Sequence, residues 1–313
     1  MLNIIIILLV GGVAVGVFLV FLTANRIFVN TLYRSDKKPR SRDISDPSYV
    51  DLKRMHDQGR AWAEKNKDKA VELHIVNDGL NLYGEYFDFG YDKCAVIIQG
   101  RTESLLFSCF FADLYADNGY NVFVMDIRAH GMSDGKYITA GIQEHRDIIV
   151  WIELIKSKFS IESFVIHGMC IGAAAAIYTH CAMKKENLIK KLVLDGAYTD
   201  YYEMFKNHMI ERKKPIFCFV YLTFFYTRLL EGTNLLKMTP YKRAGEIDIP
   251  VLFLWSVEDP YCFKEKNEAL FAACKSEGKA MKLFPIGGHS YVRLLNKADY
   301  DKTVVEFLSG NCD

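Results

Sequence analysis

The sequence predicts an α/β fold, a mainly parallel central sheet with helices on both faces, preceded by one apolar helix of membrane-spanning length. Three observations carry this. From about residue 71, β-rich runs alternate with helical periods, the pattern of a parallel sheet covered by crossover helices. Residues Leu2 to Leu22 are apolar or small apart from Asn3. Finally, the strand-like SFVIHGM runs through Gly168-Met169-Cys170-Ile171-Gly172 into AAAAIYTHCAMKK, a strand, a tight turn and a good helix.

The N-terminal run has the length needed to cross a hydrocarbon core as a helix. A cleaved signal peptide competes with a retained anchor, but no basic residue precedes the run and no A-x-A-like site follows it cleanly. Arg26, Arg34, Lys37, Lys38, Arg40 and Arg42 follow it, so the positive-inside rule places the rest of the chain on the cytoplasmic face of a single-pass protein. Residues 35–47 (SDKKPRSRDISDP) are polar and proline-punctuated and read as a tether. The expected division is an anchor over 1–24, a juxtamembrane tether and pre-domain helix over 25–69, and one domain over 70–313. On this reading the anchor lies outside the core, and a chain starting at about residue 45 is expected to be soluble.

Within the domain, VELHIV and LYGEYF flank Asn77-Asp78-Gly79, a hairpin signal. CAVIIQG is a continuous apolar run, as expected of a strand buried on both faces. NVFVMDI, SFVIHGM, KLVLDGA, PVLFLWS and AMKLFPI follow, spaced by helical segments. Residues 201–240 form an insertion containing PIFCFVYLTFFYTRLL, too short for a second span. It reads as a helical lid, with a plain packing helix or a membrane-dipping helix as alternatives. Phe217, Phe219, Tyr221, Phe224, Phe225 and Tyr226 suggest that the lid offers an apolar acyl group a binding surface.

Composition narrows the function. Lys plus Arg (39) nearly balances Asp plus Glu (38), so no strong field exists to attract nucleic acid, and none is expected as a partner. Eight cysteines are scattered without a CxxC pair, which argues against a zinc site or disulfide framework and for thiols kept reduced. No metal and no cofactor are expected.

The chemistry centres on Cys170. A tight turn between strand and helix needs small residues two before and two after its central residue, and Gly168 and Gly172 meet that need. The helix that follows points its positive end at the sulfur, which favours a thiolate, and the Ile171 amide can face a developing oxyanion. The bland alternative, a small buried hydrophobic cysteine, weighs less in this context. A nucleophile needs a base and an orienting acid, and the tail supplies them in the order acid then histidine. Asp259 ends PVLFLWS, with Glu258 its neighbour and competitor, and His289 follows AMKLFPI in a glycine-rich loop. The second oxyanion donor is expected from Gln99-Gly100-Arg101-Thr102, with the Arg101 amide the best placed; whether the Arg101 side chain is a surface charge or meets an anionic substrate group is open. His167 and His130 are expected near the pocket without catalysing, and His56 and His208 away from the sheet edge.

These features together resemble the α/β-hydrolase superfamily, and within it the serine aminopeptidase-like and monoacylglycerol-lipase-like hydrolases, over roughly residues 70–310. The resemblance rests on the hairpin, Gln99-Gly100, Asp126-Ile127-Arg128-Ala129-His130-Gly131-Met132-Ser133, the elbow, Ser256-Val257-Glu258-Asp259 and Gly288-His289. It implies the α/β-hydrolase fold and a Cys170–His289–Asp259 triad acting on a small molecule. Two departures stand out. Cysteine replaces the family's usual serine, and Gln99 stands where His is frequent, a change expected to alter only a structural contact. Three functions therefore stay open: a hydrolase cleaving a small ester, thioester or amide through an acyl-cysteine, an acyltransferase using the same acyl-enzyme, or a scaffold that has lost the serine.

Overall fold

The computed structural model describes residues 2–34 and 44–310. The chain starts with α1 (Leu2–Thr31), which no glycine or proline interrupts between Gly16 and Pro39. Its apolar side chains are exposed along most of their length, including Ile4, Leu8, Phe18 and Leu22, but Ala24, Ile27 and Phe28 in its last two turns, and Leu32 just beyond, are buried in the domain. This corrects two expectations. The helix does not end near residue 24, and the segment placed in a tether from residue 25 begins as helix packed against the core. Asn25, Arg26 and Asn30 add polarity without breaking the helix, which is why hydropathy alone ends the element too early. Residues 35–43, most of the expected tether, lie outside the described residues.

α2 (Val50–Lys65) leads into the hairpin β1 (Ala70–Asn77) and β2 (Leu80–Phe87). Asp78 and Gly79 close it with φ of 50° and 73°, the left-handed pair that a two-residue turn requires. Then come β3 (Lys93–Ile98), α3 (Leu105–Cys109), α4 (Asp113–Ala116), β4 (Asn121–Met125), α5 (Glu144–Phe159), β5 (Ser163–Met169), α6 (Ile171–Met183) and β6 (Ile189–Asp195). The insertion forms α7 (Tyr201–Glu211), α8 (Phe219–Glu231) and α9 (Pro240–Arg243). The chain closes with β7 (Val251–Ser256), α10 (Lys264–Ala273), β8 (Lys279–Phe284), α11 (Val292–Leu295) and α12 (Lys297–Ser309).

Among the described residues, eight strands make one sheet in the order β1-β2-β4-β3-β5-β6-β7-β8. β1 and β2 run antiparallel to their neighbours, and β3 to β8 are mutually parallel. β3, β4, β5 and β7 are buried along nearly their whole length, whereas the edge strand β8 is only partly buried. In β3, Cys94, Val96 and Ile98 enter one core with α5, α6 and the end of α1, while Ala95 and Ile97 enter the other with α2, α3 and α12. Burying a large apolar side chain contributes about 1.5–3 kcal/mol, so the two cores hold the C-terminal strand ends rigidly where the loops converge.

α8 corrects the reading of the insertion. Val220, Thr223, Phe224 and Thr227 face inward, but Phe217, Tyr221, Phe225 and Leu229, spaced by four, are exposed. Of the six aromatics expected to contact an acyl group, Phe224 alone is buried, stacked on Tyr201 at 5.6 Å, and Phe219 and Tyr226 are partly buried. α8 instead packs along α1, with the Tyr226 hydroxyl donating to Phe21 O at 3.2 Å and its ring 5.6 Å from Phe28.

Candidate active site

The turn between β5 and α6 puts Cys170 at φ 53° and ψ −110°, a region that L-residues occupy only when the surroundings force it. Those surroundings are two close approaches. A Cβ on Gly168 would lie 2.3 Å from Gly172 O, and one on Gly172 would lie 2.5 Å from Ile98 O in β3. Any larger residue at either position would push the elbow off the sheet. The strained residue is tied down at both ends, its N–H donating to Asp195 O at 2.9 Å and its carbonyl accepting from Ala174 N at 3.2 Å.

Asp259 sits in the turn after β7. Its Oδ1 accepts from Tyr261 N at 2.8 Å and Cys262 N at 3.0 Å, which aims Oδ2 at His289 Nδ1, 2.7 Å away. Glu258 is exposed, so the geometry selects Asp259 of the two carboxylates. The His289 side chain is only 8% exposed, packs edge-on against Tyr261 at 5.0 Å, and has Nε2 buried without a regular hydrogen bond. Burial opposes charging the ring, but Asp259 and Cys170 outweigh it and raise the His289 pKa well above the ordinary 6.5. Nδ1–H is thus committed to Asp259, leaving Nε2 on the side of the sulfur.

The loop after β3 closes over the same point. A Cβ on Gly100 would lie 3.6 Å from Cys170 Cβ, so the loop passes within one atom's width of the Cys170 side chain. Gly100 N donates to Glu103 Oε2 at 3.0 Å, and Thr102 N, at a left-handed φ of 67°, donates to His130 Nε2 at 3.0 Å. The amides on either side of Arg101 are therefore engaged elsewhere. His130 does lie near the pocket and acts on the loop, with Nδ1–H donating to Arg128 O at 3.0 Å. Gln99 differs from expectation: it is fully buried, and neither atom of its side-chain amide has a hydrogen-bond partner among the described residues.

Two residues escaped the sequence reading. His208, expected far from the sheet edge, lies on α7 with Nε2 3.0 Å from the Arg101 guanidinium, which also donates to Thr31 O at 3.3 Å. Tyr201, the first residue of α7, has a buried hydroxyl without a partner among the described residues and lies close enough to Cys170 and Arg101 to feel both. Neither sits in a motif, and both reach the site because the insertion folds back over it. Asp259, Cys262 and His289 also hold ligand atoms within 4.8 Å of one another, as a metal site would. Burial and the Asp259 charge push the Cys262 thiol up to about 12, which makes it a poor ligand at neutral pH, and the carboxylate–imidazole bond accounts for the other two groups.

A family model described as the alpha/beta hydrolase fold matches residues 96–239. The chain is 29% identical over 223 residues to the protein YqkD of Bacillus subtilis strain 168, covering 70% of this chain and 72% of that one. The esterase Pf2001 of Pyrococcus furiosus superposes with a TM-score of 0.65 at 21% identity, covering 79% of this chain and 93% of that one. This is the α/β-hydrolase fold. An esterase from Exiguobacterium antarcticum shares it with a TM-score of 0.55 at 16% identity, covering 76% of this chain and all of that one (100%). So does a 2,6-dihydroxy-pseudo-oxynicotine hydrolase, with a TM-score of 0.59 at 13% identity over 82% of this chain and 75% of that one. In an α/β-hydrolase fold the elbow after β5, the acid after β7 and the histidine after β8 converge at the C-terminal edge of the sheet, which is where Cys170, Asp259 and His289 stand.

Proposed function

We propose that this chain is a membrane-anchored hydrolase that cleaves an ester or thioester, and more slowly an amide, through an acyl-cysteine on Cys170. The observation that carries the reading is the 2.7 Å Asp259–His289 bond with the remaining ring nitrogen buried beside the strained Cys170. The Cys170 sulfur attacks the carbonyl carbon with its proton held on His289 Nε2, and the carbonyl oxygen becomes an anion facing the Ile171 and Arg101 amides. Collapse of that intermediate breaks the bond to the leaving group, which takes the proton from His289. Water then attacks the thioester, His289 removes its proton, and the acid leaves as the Cys170 thiol re-forms. Asp259 keeps Nδ1–H in place throughout and stabilises the imidazolium. Two of the fold relatives are esterases, which supports ester chemistry. α1 would be the retained anchor, with the basic residues after it on the cytoplasmic side.

The test uses full-length protein in a nonionic detergent with p-nitrophenyl butyrate. A burst of nitrophenol should accompany a butyryl mass increment on the Cys170 peptide, and Cys170→Ala should abolish both. His289→Ala should slow iodoacetamide labelling of Cys170. The reading fails if wild-type protein shows neither adduct nor turnover while Cys170→Ser hydrolyses the ester, since the chain would then be a disabled serine hydrolase.

A further inference from the structure

On the far side of Arg101 lies a cavity of about 690 Å³ that the triad does not use. Its walls include Arg26 and Ile27 of α1, Arg101 of the loop after β3, Met209 of α7, and Arg212 and Lys214 just beyond α7. Four positive side chains thus converge on one space, and among the described residues no carboxylate lines it, although Arg212 also meets Glu211 at 3.2 Å. Like charges held around one cavity repel unless an anion lies between them, and arginine forks suit phosphate or carboxylate oxygens. The volume exceeds what a lone phosphate fills, and the Ile27 and Met209 side chains supply apolar wall. Its height is equally informative. The residues Leu2 to Leu22 would span about 30 Å as helix, the thickness of a hydrocarbon core, and Thr23 and Arg26 at the cavity follow directly. With α1 inserted, the cavity opens at the depth of lipid headgroups.

We propose that this cavity holds the anionic headgroup of a single-chain amphiphilic ester drawn from the bilayer. Arg101 sets the spacing, because its side chain lines the cavity while Gly100, its neighbour in the loop, lies against Cys170. The proposal deepens the hydrolase reading and rests on α1 being inserted.

The test is binding, read without turnover. Full-length Cys170→Ala protein in a nonionic detergent is titrated calorimetrically with dodecyl phosphate, with the neutral amphiphile 1-O-dodecylglycerol and with inorganic phosphate. Dodecyl phosphate should bind roughly tenfold or more tightly than either of the others, and Arg26→Gln/Arg212→Gln/Lys214→Gln should erase that preference. The three replaced side chains are exposed, so the variant keeps its core. Equal binding of the two amphiphiles would overturn the headgroup site. Inorganic phosphate binding as tightly as dodecyl phosphate would make the ligand a free anion and overturn the amphiphile. An unchanged preference in the triple variant would move the anion elsewhere and overturn the cavity. Because Cys170→Ala performs no chemistry, failure of the acyl-cysteine mechanism leaves this result standing, and the reverse holds too.

Discussion

The Tyr201 hydroxyl is buried within electrostatic reach of Cys170 and Arg101 with no partner among the described residues, and a buried unpaired hydroxyl costs about 1–3 kcal/mol. A group kept at such cost near the proposed nucleophile suits a substrate or transition-state oxygen. Tyr201→Phe should therefore lower kcat by roughly tenfold or more while leaving the melting temperature unchanged or higher, because the cost disappears with the hydroxyl. A lower melting temperature with unchanged kcat would mean the hydroxyl is only structural. A second buried group acts on stability instead. Tyr300 donates to Asp195 Oδ2 at 2.8 Å and lies 3.3 Å from His167 Nε2. Burial raises the Asp195 pKa to about 7 and lowers that of His167 to about 3. For Asp195 the folded value lies above the unfolded one, so its contribution is complete below pH 3.8 and is lost as pH rises through about 7. For His167 the folded value lies below the unfolded one, so its contribution is complete above pH 6.5 and is lost as pH falls toward about 3. Asp195→Asn should remove the alkaline loss alone, and urea unfolding at pH 5 and pH 8 checks it. If the pH 5 to pH 8 difference in midpoint matches wild type, Asp195 does not titrate as described.

At the level of elements, α8 decides between two uses of its aromatic residues. The stripe Phe217, Tyr221, Phe225 and Leu229 is exposed and runs beside α1, whereas Phe224 packs on Tyr201 and Phe205. Phe224→Ala should destabilise the fold by about 3–5 kcal/mol, as a large core truncation does, and raise KM for long-chain esters more than for acetyl esters. Phe217→Ser/Phe225→Ser should do neither, and should instead reduce the binding of a chain starting at Thr23 to phosphatidylcholine vesicles in a flotation assay. Equal flotation of both chains would deny α8 a part at the bilayer. The sequence could not separate these roles, because nearly every position of PIFCFVYLTFFYTRLL is apolar and no face is marked. The strands were legible for the opposite reason. CAVIIQG and PVLFLWS are short apolar runs bounded by turn residues, and only a two-sided sheet buries such runs whole. The elbow glycines were legible because their constraint is local, a Cβ meeting backbone a few residues away or on the next strand. Tyr201 and His208 were not, since they reach Cys170 and Arg101 through the path of the insertion rather than through spacing along the chain.

For the molecule as a whole, the end of α1 determines where the proposed anchor and the domain can be divided. Ile27, Phe28 and Leu32 are buried in the same core as β3 and α6, and Arg34 donates to Ser133 O and, at 2.9 Å, to Gly131 O. Thr31 O accepts from Arg101, so the last turn of α1 also braces the loop that faces Cys170. A chain starting at about residue 45, which the sequence alone recommends, would lose all of these contacts and open a hole lined by Tyr137 and Tyr226, the rings that surround Phe28. Large core truncations cost about 3–5 kcal/mol each, and a domain stable by about 5–15 kcal/mol cannot absorb several at once. A chain starting at Thr23 keeps the buried turns and drops only the exposed apolar run. It should therefore melt cooperatively within a few degrees of the full-length protein in detergent, while the chain from residue 45 should melt far lower or aggregate on expression. Cleavage of a p-nitrophenyl ester should follow the same order. If the two shortened chains melted alike and turned over alike, the last two turns of α1 would be a passive extension of the proposed anchor, and the bracing of Arg101 by Thr31 would have no part in catalysis.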